Sequence, residues 1–201
     1  VRRFVVNRDL MNGMDSRWSL VSRPFLKLFH VLNRNSRHGS ARNIAAHYDL
    51  GNELYSLMLD PTMAYSCGIF ETPESTLEQA SIAKFDAVCR KLALRPGERV
   101  VEIGTGWGGL AIHAAANYGC HVTTTTISQE QYDYARARVR DLDLENKIEI
   151  RLQDYRDLQG SFDKIVSIEM LEAVGHKYLK DYFAKCHEVL KPHGLLALQV
   201  I

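Results

Sequence analysis

The sequence lacks any apolar run long enough to cross a bilayer, which takes about 20 residues, and it shows no internal repeat and no low-complexity segment. A membrane-spanning helix and a repeat architecture are therefore not expected. Cysteine is scarce. Cys67, Cys89, Cys120 and Cys186 are scattered, with no CxxC pair and no metal-ligand spacing. That argues against a metal site and a disulfide framework, and for reduced thiols in a cytoplasm. An excess of one charge is missing too, since the formal net charge is +1 at pH 7. No global pull toward nucleic acid or membrane follows, and any such attraction must be local. The opening Val-Arg-Arg lacks the apolar core and small-residue cleavage site of a signal peptide. It also lacks an initiator Met, which points to excision from something longer.

What is present fits one domain with a short appendage: 201 residues, 46% of them hydrophobic, enough for a sizeable core. Residues 1–42 read as an N-terminal extension and linker. Phe25, Leu28, Phe29 and Leu32 recur at helical spacing beside Lys27, Arg34 and Arg37. This stripe either packs on the domain or docks on anionic lipid. Residues 43–95 read as a helical cap. It holds His47-Tyr48-Asp49, a helix over Asn52 to Leu59 stopped by Asp60-Pro61, and a helix over Thr76 to Leu92. In the second helix Leu77, Ala80, Ala83, Ala87 and Leu92 mark the apolar stripe. Residues 96–201 change texture. Strands are expected over Arg99 to Gly104, His121 to Ile127, Ile148 to Gln153, Phe162 to Glu169 and Leu195 to Ile201. Helices are expected between them, over Leu110 to Tyr118, Gln129 to Leu142 and Tyr178 to Leu190. This alternation predicts right-handed βαβ units and a doubly wound α/β parallel sheet, covered on both faces.

The first strand runs into Gly104-Thr105-Gly106-Trp107-Gly108-Gly109 and then a helix. Such a loop turns sharply, lets a ligand approach the main chain, and aims the N–H groups of a helix start at it. The string satisfies GxGxxG, so a nicotinamide dinucleotide has to be weighed. Two features oppose it. Glu102 stands two residues before the first glycine, where a carboxylate would not help a pyrophosphate but suits the ammonium of an amino-acid-like ligand. A dinucleotide site also wants an acid ending the second strand, and this strand ends Thr124-Thr125-Thr126-Ile127. Ser128 and Gln131 read as a capping box, which puts Glu130 inside the next helix. A tight turn with no ligand is the remaining alternative.

ExGxGxG after the first strand is the mark of the class I S-adenosylmethionine methyltransferases. Five ordered motifs narrow the match: Ala46 to Asn52 (AHYDLGN), Tyr65-Ser66-Cys67, Gly104 to Gly108 (GTGWG), Thr126 to Gln131 (TISQEQ) and Glu169 to His176 (EMLEAVGH). Over about residues 40–201 the sequence resembles the cyclopropane-fatty-acyl-phospholipid synthases and their mycolic-acid relatives. The resemblance implies a class I, Rossmann-like sheet and methylene transfer from S-adenosylmethionine to a cis double bond of an unsaturated phospholipid acyl chain. It implies cofactor contacts from Tyr65 and Ser66 at the amino-acid end. Gly104, Gly106 and Gly108, with Trp107 among them, would form the cradle. Thr126 and Gln131 would lie near the ribose, and Asp154 and Tyr155 would border the adenine. Read by itself, Asp154 serves equally well as a turn residue.

In that chemistry a cation must lose a proton from the new methyl group in a dry pocket. The resemblance implies a bicarbonate ion as the base, held by Cys67, Glu172, Gln199 and Ile201. Beside such an ion, Glu172 must share a proton or be raised in pKa. Taken alone, Glu172 is equally an exposed first-turn glutamate. Cys67 reads as pocket lining, because methyl transfer needs no covalent enzyme intermediate. Gln199 departs from relatives that carry His: it can hydrogen-bond an oxyanion but cannot shuttle a proton. The family's final antiparallel strands and a Tyr completing the bicarbonate site are absent, so the domain is expected to be C-terminally incomplete and to associate through its last strand. Two alternatives stay open: a C- or N-methyltransferase on another lipid or small molecule, and a non-catalytic module on this fold. A cytoplasmic enzyme meeting the inner face of the membrane follows from the implied substrate.

Overall fold

The computed structural model describes residues 51–201. The stripe at Phe25 to Leu32, the linker to Ser40 and the His47-Tyr48-Asp49 motif lie outside the described residues. Helix α1 spans Gly51–Met58. Asp60 closes the turn after it. Its Oδ1 accepts from the Thr62 N–H at 2.8 Å, and its Oδ2 accepts from the Ser81 hydroxyl at 2.9 Å, which ties the turn to the next helix.

That helix, α2, spans Leu77–Lys91 and starts on a reciprocal cap. The Thr76 hydroxyl accepts from the Gln79 N–H while the Gln79 side chain accepts from the Thr76 N–H, satisfying two donors a helix start leaves open. The inward face is Ala80, Ser81, Lys84, Phe85 and Cys89. The expected stripe is therefore corrected: Leu77 is exposed, and Ala83 and Ala87 are only half-buried. The polar residues face inward because each finds a partner there, Ser81 in Asp60 and Lys84 in Ser66.

Five parallel strands follow: β1 Arg99–Ile103, β2 His121–Thr126, β3 Ile148–Leu152, β4 Phe162–Ile168 and β5 Leu190–Gln199. Their order is β3-β2-β1-β4-β5. Between them run α3 Gly109–Tyr118, α4 Gln129–Asp141, a short α5 Leu171–Val174 and α6 Leu179–Val189. The chain winds outward from β1 to β3 and then returns to β4 on the other side of β1. The crevice at the carboxyl ends of β1 and β4 is thus the topological switch point, where open sheets of this kind bind ligands. Alternate residues of β1 feed two cores. Val100 packs with Leu110, Ala114, Val122 and Val139 on one face, and Val101 and Ile103 pack with Ile165, Tyr182 and Val189 on the other.

The last strand begins earlier than expected. Leu190 already pairs with Phe162, the ladder breaks, and it resumes with Leu195 opposite Lys164. Lys191 to Gly194 bulge between these pairs, and Gly194 lies so close to the chain that a Cβ would stand 2.8 Å from the Asp163 carbonyl oxygen. Lys-Pro-His-Gly reads as a turn in sequence, and a bulge uses the same residues. At its other end β5 stops at Gln199, with Val200 and Ile201 beyond it.

Candidate active site

The glycine loop leaves β1 with Gly104, Gly106 and Gly108 all at positive φ, 101°, 51° and 85°. The three do different work. A Cβ on Gly106 would meet nothing within 4 Å, so this residue borders open space at the head of the crevice. A Cβ on Gly108 would press on Ala135 of α4 at 3.1 Å, so Gly108 lets α3 and α4 approach. Gly104 lies against the Met170 side chain. The expected cradle therefore rests most directly on Gly106. Trp107 is turned into the core, its ring tilted against Tyr55 with centroids 4.8 Å apart and its indole N–H donating to Asn52 Oδ1 at 2.8 Å. It anchors α1 to the loop instead of projecting into the crevice.

Glu102 lies beneath the loop, 4% exposed. The Thr124 hydroxyl donates to its Oε2 at 2.6 Å, and Thr105 Oγ1 lies 2.8 Å from that hydroxyl. Burial pushes the Glu102 carboxyl up to about 8, and the Thr124 hydrogen bond and the Lys84 charge offset this only in part. A carboxyl held neutral this way ionises when a cation arrives, because an opposite charge nearby favours the charged form.

At the end of β2 the Thr126 hydroxyl donates to Gln131 Oε1 at 2.8 Å, with both residues buried. The capping box expected there is half present. Ser128 caps α4 by accepting from the Gln131 N–H, but the Gln131 side chain turns to Thr126 and not to the Ser128 N–H. The Ser128 N–H donates to Thr126 Oγ1 instead. Glu130 lies in the first turn of α4 and accepts from the Ser128 hydroxyl. After β3, Asp154 caps a 3₁₀ turn and accepts from the Arg156 guanidinium at 2.5 and 2.8 Å. Tyr155 packs edge-on against Tyr182, centroids 5.3 Å apart.

A second cluster forms at the carboxyl ends of β4 and β5. Gln199 Nε2 lies 3.2 Å from Cys67 Sγ, and the Ile201 N–H donates to Glu172 Oε1 at 2.6 Å. The four residues expected to cradle an anion thus meet in two pairs, although Cys67 and Gln199 are 132 positions apart. At the centre is a residue not anticipated in this role. Glu169 Oε1 accepts from the Cys67 N–H at 3.0 Å and from Gln199 Nε2 at 2.7 Å. Glu169 has φ 49°, a left-handed conformation uncommon outside glycine. Its N–H is fixed by the Gln199 carbonyl at 2.8 Å. The hydrogen bond to Glu169 and, next, burial hold the Cys67 thiol above its ordinary range, which supports pocket lining over a nucleophile.

Lys84 was also missed. It is 1% exposed, and its ammonium donates to Ser66 Oγ at 2.5 Å. Burial pulls it below the ordinary lysine range, and the charge of Glu169 is the largest influence resisting this. The only sequence signal was a lysine four residues after Ala80 on the inward stripe. Tyr65, beside Ser66, is exposed and stands edge-on to Tyr55 at 5.5 Å. Arg138 was missed as well. It donates to the carbonyls of Thr62 and Trp107 from Nη1 and of Pro61 from Nη2, fastening the segment after α1 to the glycine loop. Among the described residues no group of side chains suits a metal ion.

Comparison with known proteins places this geometry. The profile of the family described as mycolic acid cyclopropane synthetase matches residues 35–201. The cyclopropane-fatty-acyl-phospholipid synthase of Escherichia coli K12 is 50% identical over 155 residues, covering 77% of this chain and 39% of that protein. The tuberculostearic acid methyltransferase UfaA1 of Mycobacterium tuberculosis is 44% identical, covering 83% of this chain and 40% of that protein. The crystal structure of the mycolic acid cyclopropane synthase CmaA1, complexed with S-adenosylhomocysteine (SAH) and CTAB, superposes with a TM-score of 0.76 at 34% identity, over 79% of this chain and 55% of that one. The chain spans about two fifths of the length of the first two relatives. A five-stranded sheet in this order, a glycine loop preceded by a buried acid and a matching profile over most of its length lead to one conclusion: the chain belongs to the cyclopropane-fatty-acyl-phospholipid synthase and mycolic acid cyclopropane synthase family.

Proposed function

We propose that this chain forms the cofactor-binding and much of the catalytic part of an S-adenosylmethionine-dependent enzyme. It would transfer a methylene group to a cis double bond of an unsaturated phospholipid acyl chain and close a cyclopropane ring. The observation that carries this reading is the meeting of two sites at one switch point. Glu102 and Gly106 supply a buried acid and open main chain suited to an amino-acid-bearing nucleoside. Cys67, Gln199 and Ile201 supply donors suited to an oxyanion beside it. The cofactor supplies an electrophilic sulfonium methyl. The chain's residues would bind its ammonium through Glu102, shape its ribose corner with Thr126 and Gln131, and keep water from the acceptor carbon.

The proton acceptor would sit at the donor cluster. A bicarbonate ion there is one reading, supported by the resemblance and the donors. A carboxylate of the chain is the other. Residues 43–95 would act as the cap over the cofactor and acyl chain. The stripe from Phe25 to Leu32, with Lys27, Arg34 and Arg37, would meet the inner face of the bilayer that holds the substrate. Among the described residues no helix is long and apolar enough to cross a membrane.

A methyl-branched product is a second reading, favoured by the 44% identity to a protein named as a tuberculostearic acid methyltransferase and the 43% identity to one named as a probable fatty acid methyltransferase. The experiment supplies the full-length protein with methyl-labelled S-adenosylmethionine and monounsaturated phospholipid vesicles. The ring reading expects label in the acyl fraction and the upfield proton resonances of a cyclopropane methylene. Label without those resonances supports the branched product, and no label refutes both.

A further inference from the structure

We infer that Glu169 is the enzyme's own general base, standing where the resemblance would put bicarbonate. The inference rests on the methylene transfer proposed above and deepens it. Three observations on the fold carry it.

The first is occupancy of the donors. The Cys67 N–H and the Gln199 amide both donate to Glu169 Oε1, and the Ile201 N–H donates to Glu172 Oε1. Each donor expected to cradle an ion already serves a carboxylate of the chain. A bicarbonate added here would be one more anion beside two carboxylates, an arrangement that repulsion opposes. The second is backbone geometry. Glu169 holds φ 49° at the carboxyl end of β4, and its N–H is pinned to the Gln199 carbonyl at 2.8 Å. A non-glycine residue is uncommon in this conformation and, where it is held there, is found preferentially at functional positions. Here the conformation delivers the carboxylate to the Cys67 and Gln199 donors. The third is the division between the two oxygens. Oε1 accepts from both the Cys67 N–H and the Gln199 amide. These two donors orient the carboxylate through Oε1, and the proton is assigned to Oε2. Lys84, buried on the Ser66 side of the cluster, supplies the compensating positive charge.

The step balances. A carbon–carbon bond forms as the double bond's electron pair takes the sulfonium methyl, and the carbon–sulfur bond breaks to a neutral thioether. The other alkene carbon is left cationic. Glu169 Oε2 then takes one proton from the transferred methyl, and the electron pair of that C–H bond closes the ring. The carboxylic acid formed releases its proton to solvent. Gln199 cannot carry that proton, so its part is to hold Oε1. Glu169 is the catalytic residue here, and Gln199 and the Cys67 N–H are positioning groups.

The test uses the full-length protein with labelled S-adenosylmethionine and monounsaturated phospholipid, in carbon-dioxide-depleted buffer with and without added bicarbonate. The inference expects wild-type turnover to be the same in both. It expects Glu169→Gln to lose roughly a hundredfold or more, the scale of general base catalysis, while binding SAH as wild type does. It expects Glu169→Gly, which vacates the donors, to regain turnover only when bicarbonate is added. Rescue of this kind separates a base from a residue that merely supports the fold. Wild-type turnover that falls on bicarbonate removal and returns on its addition would overturn the assignment, as would a Glu169→Gln variant near wild-type rate. Wild type that transfers no label under any condition would instead overturn the proposed function, and this inference with it.

Discussion

Arg138 Nη1 donates at 3.0 Å to the carbonyl of Trp107, in the middle of the glycine loop, and at 3.0 Å to the carbonyl of Thr62, in the segment between α1 and α2. One side chain of α4 thereby holds two segments that come together only in the fold. Burial depresses the Arg138 guanidinium somewhat, yet it stays a cation in every accessible range of pH. Replacing it leaves three carbonyls without their donor. Arg138→Met is expected to destabilise the protein by about 1.5–3 kcal/mol, the scale of hydrogen bonds to a charged group, and to weaken SAH binding by loosening the loop. Thermal unfolding together with calorimetry checks both. Unchanged values would show that the fastening is idle.

Glu102 is expected to make the binding of an ammonium-bearing cofactor a proton-linked event. Its carboxyl is raised to about 8, so near neutral pH it is mostly protonated in the free protein. An ammonium ligand draws the proton off. Titrations at neutral pH in buffers of different ionisation heat should therefore show release of close to one proton per ligand, and Glu102→Gln should abolish that release. Glu102→Ala should weaken binding by about 1.5–3 kcal/mol. For stability the sign is the opposite of an ordinary surface acid. A raised carboxyl gives stability that is complete below the usual carboxyl range and is lost as pH rises through about 8. Unliganded wild type should lose stability across that window while Glu102→Gln stays nearly level. A flat wild-type profile would contradict the burial argument.

Gly106 tests where the ligand lies. Its φ of 51° disfavours any other residue, but open space surrounds the Cβ position. Gly106→Ala should cost only about 1 kcal/mol of stability, while a methyl group in the crevice should reduce SAH affinity by a larger factor. Equal losses would place the ligand elsewhere. Gly68→Ala is the control, because its Cβ would stand 2.8 Å from the Ala80 Cβ of α2, so its loss should fall on stability.

Glu172 holds the Ile201 N–H at 2.6 Å. Glu172→Gln should lower ring formation in the full-length protein and leave cofactor affinity nearly unchanged, read by a lipid assay and calorimetry side by side. Turnover near wild type would remove Glu172 from the catalytic cluster.

Much of the fold was legible because its signals are local. Strand β1, the glycine loop and α3 follow from contiguous residues, and the alternation after Gly97 predicts the parallel sheet. Errors arose where local signals were ambiguous or contacts distant. On α2, alanines mark more than one face, so the stripe could be assigned only once Ser81 met Asp60 and Lys84 met Ser66. On α4, Ser128 and Gln131 have capping-box spacing, but Thr126 competes for the Gln131 side chain. Glu169 stood in a quoted motif, yet its role depends on the Cys67 N–H, 102 positions away. Arg138 reaches Thr62 across 76 positions. No periodicity encodes such pairs.

The most direct measurement is a calorimetric titration of the protein with SAH and, separately, with NAD. The buried acid before the glycine loop and the threonine end of β2 predict that SAH binds and that NAD does not. NAD binding more tightly than SAH would contradict the reading of the crevice on which everything else rests.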